Sequence, residues 1–212
     1  YNDTIIGLPT SADVWIQDNS FLLCFTNGCL RMPNNGSFII GWLPRLVTNQ
    51  SFEIADANTT LAKTWTASRL TNDARACAGL GNMTFAFDGL CAFAFTGGAG
   101  TNSSITKTVN TPNVRAGDKL FLSAWVRASS LTTGGTIAVK LTYTNGTSSN
   151  LVMEIPTGQY AYRQLYVPLS TTADISSAQI TMRMRGGAGR FWIDNVNLFH
   201  IPMGSPLNSV PG

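Results

Sequence analysis

The chain has 212 residues, of which 44% are hydrophobic and only 12% charged, with a formal net charge of +3. That is enough chain to bury a sizeable core in one large domain, and its 14 Lys and Arg are scattered without a basic run, which argues against nucleic-acid binding. The longest apolar runs, such as 21–25, fall far short of a membrane span, and sparse charge with abundant Ser, Thr, Asn and Gly reads as an extracellular β protein.

The chain opens at Tyr1 without an initiator Met or a basic-then-apolar leader, the start expected of a mature secreted product. Residues 1–45 read as a strand-rich extension. Residues 11–17 are strand-like. Residues 21–32 read as a hairpin with a Thr26-Asn27-Gly28 turn, with Cys24 and Cys29 on either side of it. Residues 37–43 form a nearly continuous apolar strand. These pieces are too short to bury their own apolar faces. They must pack on the rest of the chain or on another molecule. Val14, Ile16, Phe38 and Ile40 are the side chains expected to act as plugs if the extension inserts into a neighbour.

From residue 46 the pattern changes to regular alternation. Residues 119–128, 136–143, 161–169 and 179–185 each alternate apolar and polar side chains, the period-two signature of half-buried antiparallel strands. Thr133-Gly134-Gly135, Thr144-Asn145-Gly146 and 186–189 supply the turns between them. Many short strands at even spacing mean a sandwich or barrel. With Leu120, Leu122, Ala124 and Val126 facing a core, Trp125 and Arg127 face the other way. Tyr162, Gln164 and Tyr166 do the same, as do Lys140, Arg183 and Arg185. If these strands share a sheet, they form one aromatic and cationic face, suited to a glycan or to a flat protein partner. The alternative is that Trp125 is covered by the extension or by a loop. Residues 203–212, rich in proline, read as an irregular tail.

The four cysteines fall in two close pairs, Cys24 with Cys29 and Cys77 with Cys91, which in a secreted composition points to two disulfides; the alternative is buried free thiols. Sequons at Asn2, Asn35, Asn49, Asn58, Asn82, Asn102 and Asn145 are candidate glycosylation sites.

The segments Asn-Gln-Ser-Phe-Glu (49–53), Trp65, Cys77 with Cys91, Gly-Asp-Lys-Leu-Phe-Leu-Ser-Ala-Trp-Val (117–126) and Phe-Trp-Ile-Asp-Asn-Val-Asn-Leu (191–198) resemble the jelly-roll carbohydrate-binding-module superfamily (families 4, 9 and 22). The Cys77 to Cys91 region looks like the disulfide-linked variant of that module in secreted bacterial surface proteins. The resemblance spans roughly residues 46–202. It implies an all-β antiparallel sandwich, a jelly roll, preceded by the strand-rich extension. It also implies that Trp65 and Trp192 pack in the core, and that glycans bind on the concave face. A structural calcium would be held by an acid of the first strand and one of the last, here Glu53 and Asp194. The closing motif of the superfamily often carries two adjacent acids, whereas this chain has Asp194-Asn195.

Catalysis finds little footing. The chain has two glutamates, Glu53 and Glu154, and no recognisable carboxylate pair for glycoside hydrolysis. Its single histidine, His200, has no Gly-x-Ser-x-Gly elbow to serve. The expectation is therefore a non-enzyme at the cell surface. Its first reading is a subunit that polymerises head-to-tail by lending its extension to a neighbour's sheet. Its second is a non-catalytic carbohydrate-binding module, with matrix or surface glycans as partners.

Overall fold

The computed structural model describes residues 46–57, 60–78, 86–98, 102–111 and 113–202, together with the backbone of three strands at 12–17, 20–25 and 28–33. Those three strands, β1 (Ala12–Gln17), β2 (Ser20–Phe25) and β3 (Gly28–Pro33), form an antiparallel meander of their own. Cys24 lies opposite Cys29 in its register, as the hairpin reading expects. The bridge between their side chains, the strand expected over 37–43 with Phe38 and Ile40, and the tail 203–212 lie outside the described residues. The same holds for the side chains of Val14 and Ile16.

The rest is a β-sandwich of two five-stranded antiparallel sheets. One sheet orders β10 (Ser148–Ile155), β9 (Gly135–Tyr143), β12 (Ile175–Met184), β7 (Ser104–Val109) and β4 (Thr66–Ser68). The other orders β11 (Gly158–Ser170), β8 (Lys119–Leu131), β13 (Arg190–Ile201), β6 (Cys91–Thr96) and β5 (Ala74–Cys77). We call them the β9 sheet and the β8 sheet. Alternation decides which side chains meet between them. Leu120, Leu122, Ala124 and Val126 of β8 face Ile137, Val139, Leu141 of β9 and Ile180, Met182 of β12 in one buried core. An aromatic run closes one end of that core, with ring centroids 5.3 Å apart for Phe52–Trp65, 6.0 Å for Phe52–Phe93 and 4.9 Å for both Phe93–Phe95 and Phe95–Phe191. Trp65 is thus a core residue, as expected.

Two departures from simple alternation matter. Lys107 on β7 sits between Ile105 and Val109 and is buried with them. Its ammonium donates to Thr48 Oγ1 (3.0 Å) and to Thr64 Oγ1, and lies 5.6 Å from the Trp65 ring centroid. Burial lowers its pKa. The second departure is a bulge in β13 between Asp194 and Asn197. Asn195 takes a left-handed backbone (φ 48°) there, a conformation asparagine tolerates better than most residues. One extra residue returns Val196 and Leu198 to the core after Phe191 and Ile193.

Candidate functional site

The outer face of the β8 sheet gathers most of the residues expected to form an aromatic platform. Trp125 and Arg127 come from β8, with Gln164 directly opposite Trp125 and Tyr166 opposite Ser123 on β11. Tyr162 packs on the same side, with Ala92, Ala94 and Trp192. Trp192 is therefore buried, but on the outside of its sheet and not in the inter-sheet core where the resemblance places it. Two small alanines on β6 make the room, and the guanidiniums of Arg127 and Arg190 lie 5.0 and 5.6 Å from its ring centroid.

This platform is not open. The segment 86–90, between β5 and β6, folds across it, and the Phe87 ring stacks on Trp125 with centroids 3.6 Å apart and planes 8° from parallel. A second contact joins Phe87 to Tyr162 at 5.9 Å. Trp125 Nε1 is buried and has no hydrogen-bond partner among the described residues. Of the alternatives for Trp125, the loop cover is what the structure shows. Phe87 was not legible because the short Phe85-Ala86-Phe87 run does not say which face of the fold it covers.

The loop is fastened at three places. A disulfide joins Cys77 to Cys91, directly opposite each other on β5 and β6 with Cα atoms 4.0 Å apart. Asp194, fully buried, accepts from the backbone N–H of Phe87 (2.7 Å) and Asp88 (2.8 Å) through Oδ2 and of Asn195 (2.6 Å) through Oδ1. Glu53 Oε1 accepts from the N–H of Leu90 and Cys91, both at 2.9 Å. Gly89, at φ 70°, lets Glu53 lie this close; a Cβ there would meet Oε1 at 2.4 Å. Burial pushes the Asp194 carboxyl up to about 7, against the pull of the N–H groups of Asp88, Phe87 and Asn195 and with a further rise from the Asp88 charge. Burial, and then the Asp194 charge, raise the Tyr162 hydroxyl far above the ordinary tyrosine range, with Arg127 pulling the other way.

Those hydrogen bonds bear on calcium. The ion takes roughly six to eight oxygen ligands. Glu53 Oε1 and Asp194 Oδ2 each already accept two N–H groups, and among the described residues no three His, Cys, Asp or Glu side chains come together. As placed, Glu53 Oε1 and Asp194 Oδ2 are taken up by N–H groups of the loop, and the pair serves as loop anchors.

Arg183 does not join the aromatic platform. It belongs to β12 and points from the outer face of the opposite sheet, as do Lys140 and Arg185. Alternation shows that a side chain faces outward but is the same in both sheets, so it does not show which outward face is meant. Around these cations lies a cleft of about 920 Å³. Strand register explains its shape. Ala138 and Thr181 are cross-strand neighbours at the floor, and Asn150–Lys140–Gln179 and Thr136–Arg183–Ser104 form the rows on either side. Short side chains between rows of long ones leave a trough. Arg69 and Asn102 complete its lining on the β7 and β4 side, and no aromatic residue among the described ones lines it. Of these cations, Arg185 alone meets a carboxylate among the described residues, with Nη2 2.8 Å from Glu154 Oε1.

His200, the single histidine, is buried, with Nε2 2.7 Å from Asp118 Oδ2, which also accepts from the Arg115 N–H. Three sequons fall in described segments. Asn145 lies in the exposed β9–β10 turn, and Asn102 accepts from the Gly186 N–H. Asn49 is tied by Nδ2 to the carbonyls of Ile54 and Lys63. Asn2, Asn35, Asn58 and Asn82 lie outside the described residues.

No protein-family model matches this sequence, and no curated protein matches it either. Solved structures do share its fold. A CBM61 module in complex with β-1,4-galactotriose has a TM-score of 0.54 at 20% identity, covering 74% of this chain and 98% of that one. A family 16 carbohydrate-binding module has a TM-score of 0.52 at 15% identity, covering 72% and 98%. The enzymatically active domain of tailspike protein 4 from bacteriophage CBA120 has a TM-score of 0.55 at 15% identity; the match covers 74% of this chain but only 21% of that one. The chain thus carries a jelly-roll β-sandwich, the fold that the resemblance implies.

Proposed function

We propose that the chain is a non-catalytic glycan-binding module that works outside the cell, and that the glycan lies in the cleft on the β9 sheet. The observation that carries this reading is the cleft itself. It is an open trough of about 920 Å³ lined by amides, hydroxyls and cations, on a fold shared with carbohydrate-binding modules. The aromatic platform on the other sheet is the competing site, and Phe87 occupies its central tryptophan. The Cys77–Cys91 disulfide suits an oxidising compartment. No helix among the described residues is long and apolar enough to cross a membrane. A glycan array, followed by titration of the best ligand, tests the reading. Asn150→Ala with Gln179→Ala should abolish binding at unchanged melting temperature, and Trp125→Ala should leave affinity intact. The reverse outcome would move the site to the β8 sheet.

Polymerisation through residues 1–45 is a second reading. It rests on the meander of β1, β2 and β3, whose outer strands each pair on one side only among the described residues. Such edges are where a strand of another copy adds. Electron microscopy of the intact chain beside a chain lacking residues 1–45 tests it: fibres from the first alone would favour assembly through the extension, and uniform small particles from both would dismiss it.

A further inference from the structure

We infer that the cleft on the β9 sheet selects an acidic glycan, one whose sugars carry carboxylate or sulfate groups beside their hydroxyls. The inference rests on the glycan-binding reading above and names the ligand class for that site. Among the described residues four cations line the trough, Arg69, Lys140, Arg183 and Arg185, and no Asp or Glu does. Glu154, at its edge, engages Arg185 alone. Among the described residues, Arg69, Lys140 and Arg183 have no carboxylate partner. The cleft therefore concentrates three uncompensated charges (four cations less Glu154), as many as the +3 by which the whole chain departs from neutrality. Lys140 and Arg183 stand at opposite ends of the floor, four residues apart along the sheet, since Lys140 pairs with Gln179 and Arg183 with Thr136. At roughly 3.3 Å per residue this separates them by about 13 Å, a span that calls for an extended chain with repeated charges and not for one small anion.

The neutral part of the lining narrows the class. Asn150, Gln179, Thr136, Thr181 and Ser104 offer donors and acceptors to hydroxyl groups. Neutral sugars usually need a ring to stack on, and the described lining offers none. Hydrogen bonds to neutral hydroxyls return little net free energy in water, whereas charge-assisted bonds from guanidinium and ammonium groups are roughly twice as strong. A trough that has cations and amides but no aromatic ring gains affinity for a ligand that brings charge and hydroxyls together. The missing aromatics also argue against single-stranded nucleic acid, which binds through stacked bases as well as phosphates.

The test is calorimetric titration of the full chain, produced without glycosylation because the Asn102 sequon stands at the rim. The probes are polygalacturonate, its fully methyl-esterified and hence neutral form, dextran sulfate, and a single-stranded oligonucleotide. The expected result is binding to polygalacturonate or dextran sulfate, whichever source of charge fits. The neutral form should bind about tenfold or more weakly, and Lys140→Gln and Arg183→Gln should each lose about tenfold. Both side chains are exposed, so melting temperatures should not move. Equal binding of the neutral form, lost on Asn150→Ala with Gln179→Ala, would overturn the acidic-ligand inference and leave the cleft as a glycan site. Tightest binding of the oligonucleotide, or loss of no affinity in the charge variants, would also overturn it. Binding of none of the four probes would overturn it, while a hit elsewhere on the glycan array would keep the module reading alive.

Discussion

Replacing both Cys77 and Cys91 by alanine separates what the disulfide does for the unfolded chain from what it does for the loop. The two cysteines are 14 positions apart. By the loop-entropy relation, releasing a loop of that size costs about 3 kcal/mol of stability at 25 °C. For a domain of this size each kcal/mol moves the melting temperature by about 2–4 °C, so a fall of roughly 6–12 °C is expected. The native loop, in contrast, keeps its other fastenings. Asp194 still accepts from Phe87 and Asp88, and Glu53 from Leu90 and the residue-91 amide. Phe87 should therefore stay on Trp125, and native tryptophan fluorescence should not change. Differential scanning calorimetry and emission spectra of the same sample read both quantities. A melting temperature within about 2 °C of the parent would refute the entropic account. A red-shifted native spectrum would show instead that the disulfide itself holds the loop down.

Phe87→Ala should expose Trp125, red-shift its emission and cost about 1–2 kcal/mol, the stack plus partial burial of the ring; an unchanged spectrum would mean that the two rings do not stack. Stability should also fall with rising pH because of Asp194. Its folded carboxyl is raised from 3.8 to about 7, so between these values the folded state holds a proton that the unfolded state has lost. From pH 5 to 8 the cost is roughly 2–3 kcal/mol. Urea unfolding of the parent should show this extra loss relative to Asp194→Asn, and parallel pH profiles would contradict it. Calcium should leave the melting temperature within about 1 °C of a chelated sample, because Glu53 Oε1 and Asp194 Oδ2 already hold two N–H groups each. A larger rise would restore a calcium site at Glu53 and Asp194.

Much of the module was legible because its signal is periodic. Leu120 to Val126, Ile137 to Leu141 and Ile180 to Met184 alternate, and each set faces the core as written. The turn at Asn145-Gly146 and the closed pair Cys77–Cys91 were legible for a similar reason: each depends on neighbours in sequence or on a short span. What was not legible depends on which strands become neighbours. Arg183 and Trp125 both point outward, yet β12 and β8 lie in different sheets, so a single imagined face is in truth two. The resemblance placed Trp192 in the core, while the alanines at 92 and 94 that receive it outside the sheet are uninformative alone. Glu53 and Asp194 were singled out as a calcium pair, whereas the partners the structure gives them are backbone amides of a loop, which leave no side-chain pattern to read.

The bulge in β13 gives this strand an interrupted beat. Its inward residues are Phe191, Ile193, Val196 and Leu198, spaced two, three, two, where an unbroken strand would keep strict twos. A single insertion or deletion on either side would turn half of a central strand inside out, moving Val196 and Leu198 to the buried outer side of the sheet and Asn197 into the inter-sheet core. Drift in this strand must therefore proceed by substitution alone, while the loops around it remain free to change length. That syncopated spacing, with an asparagine at the pause, is a mark by which distant relatives of this chain can be sought after overall identity has faded.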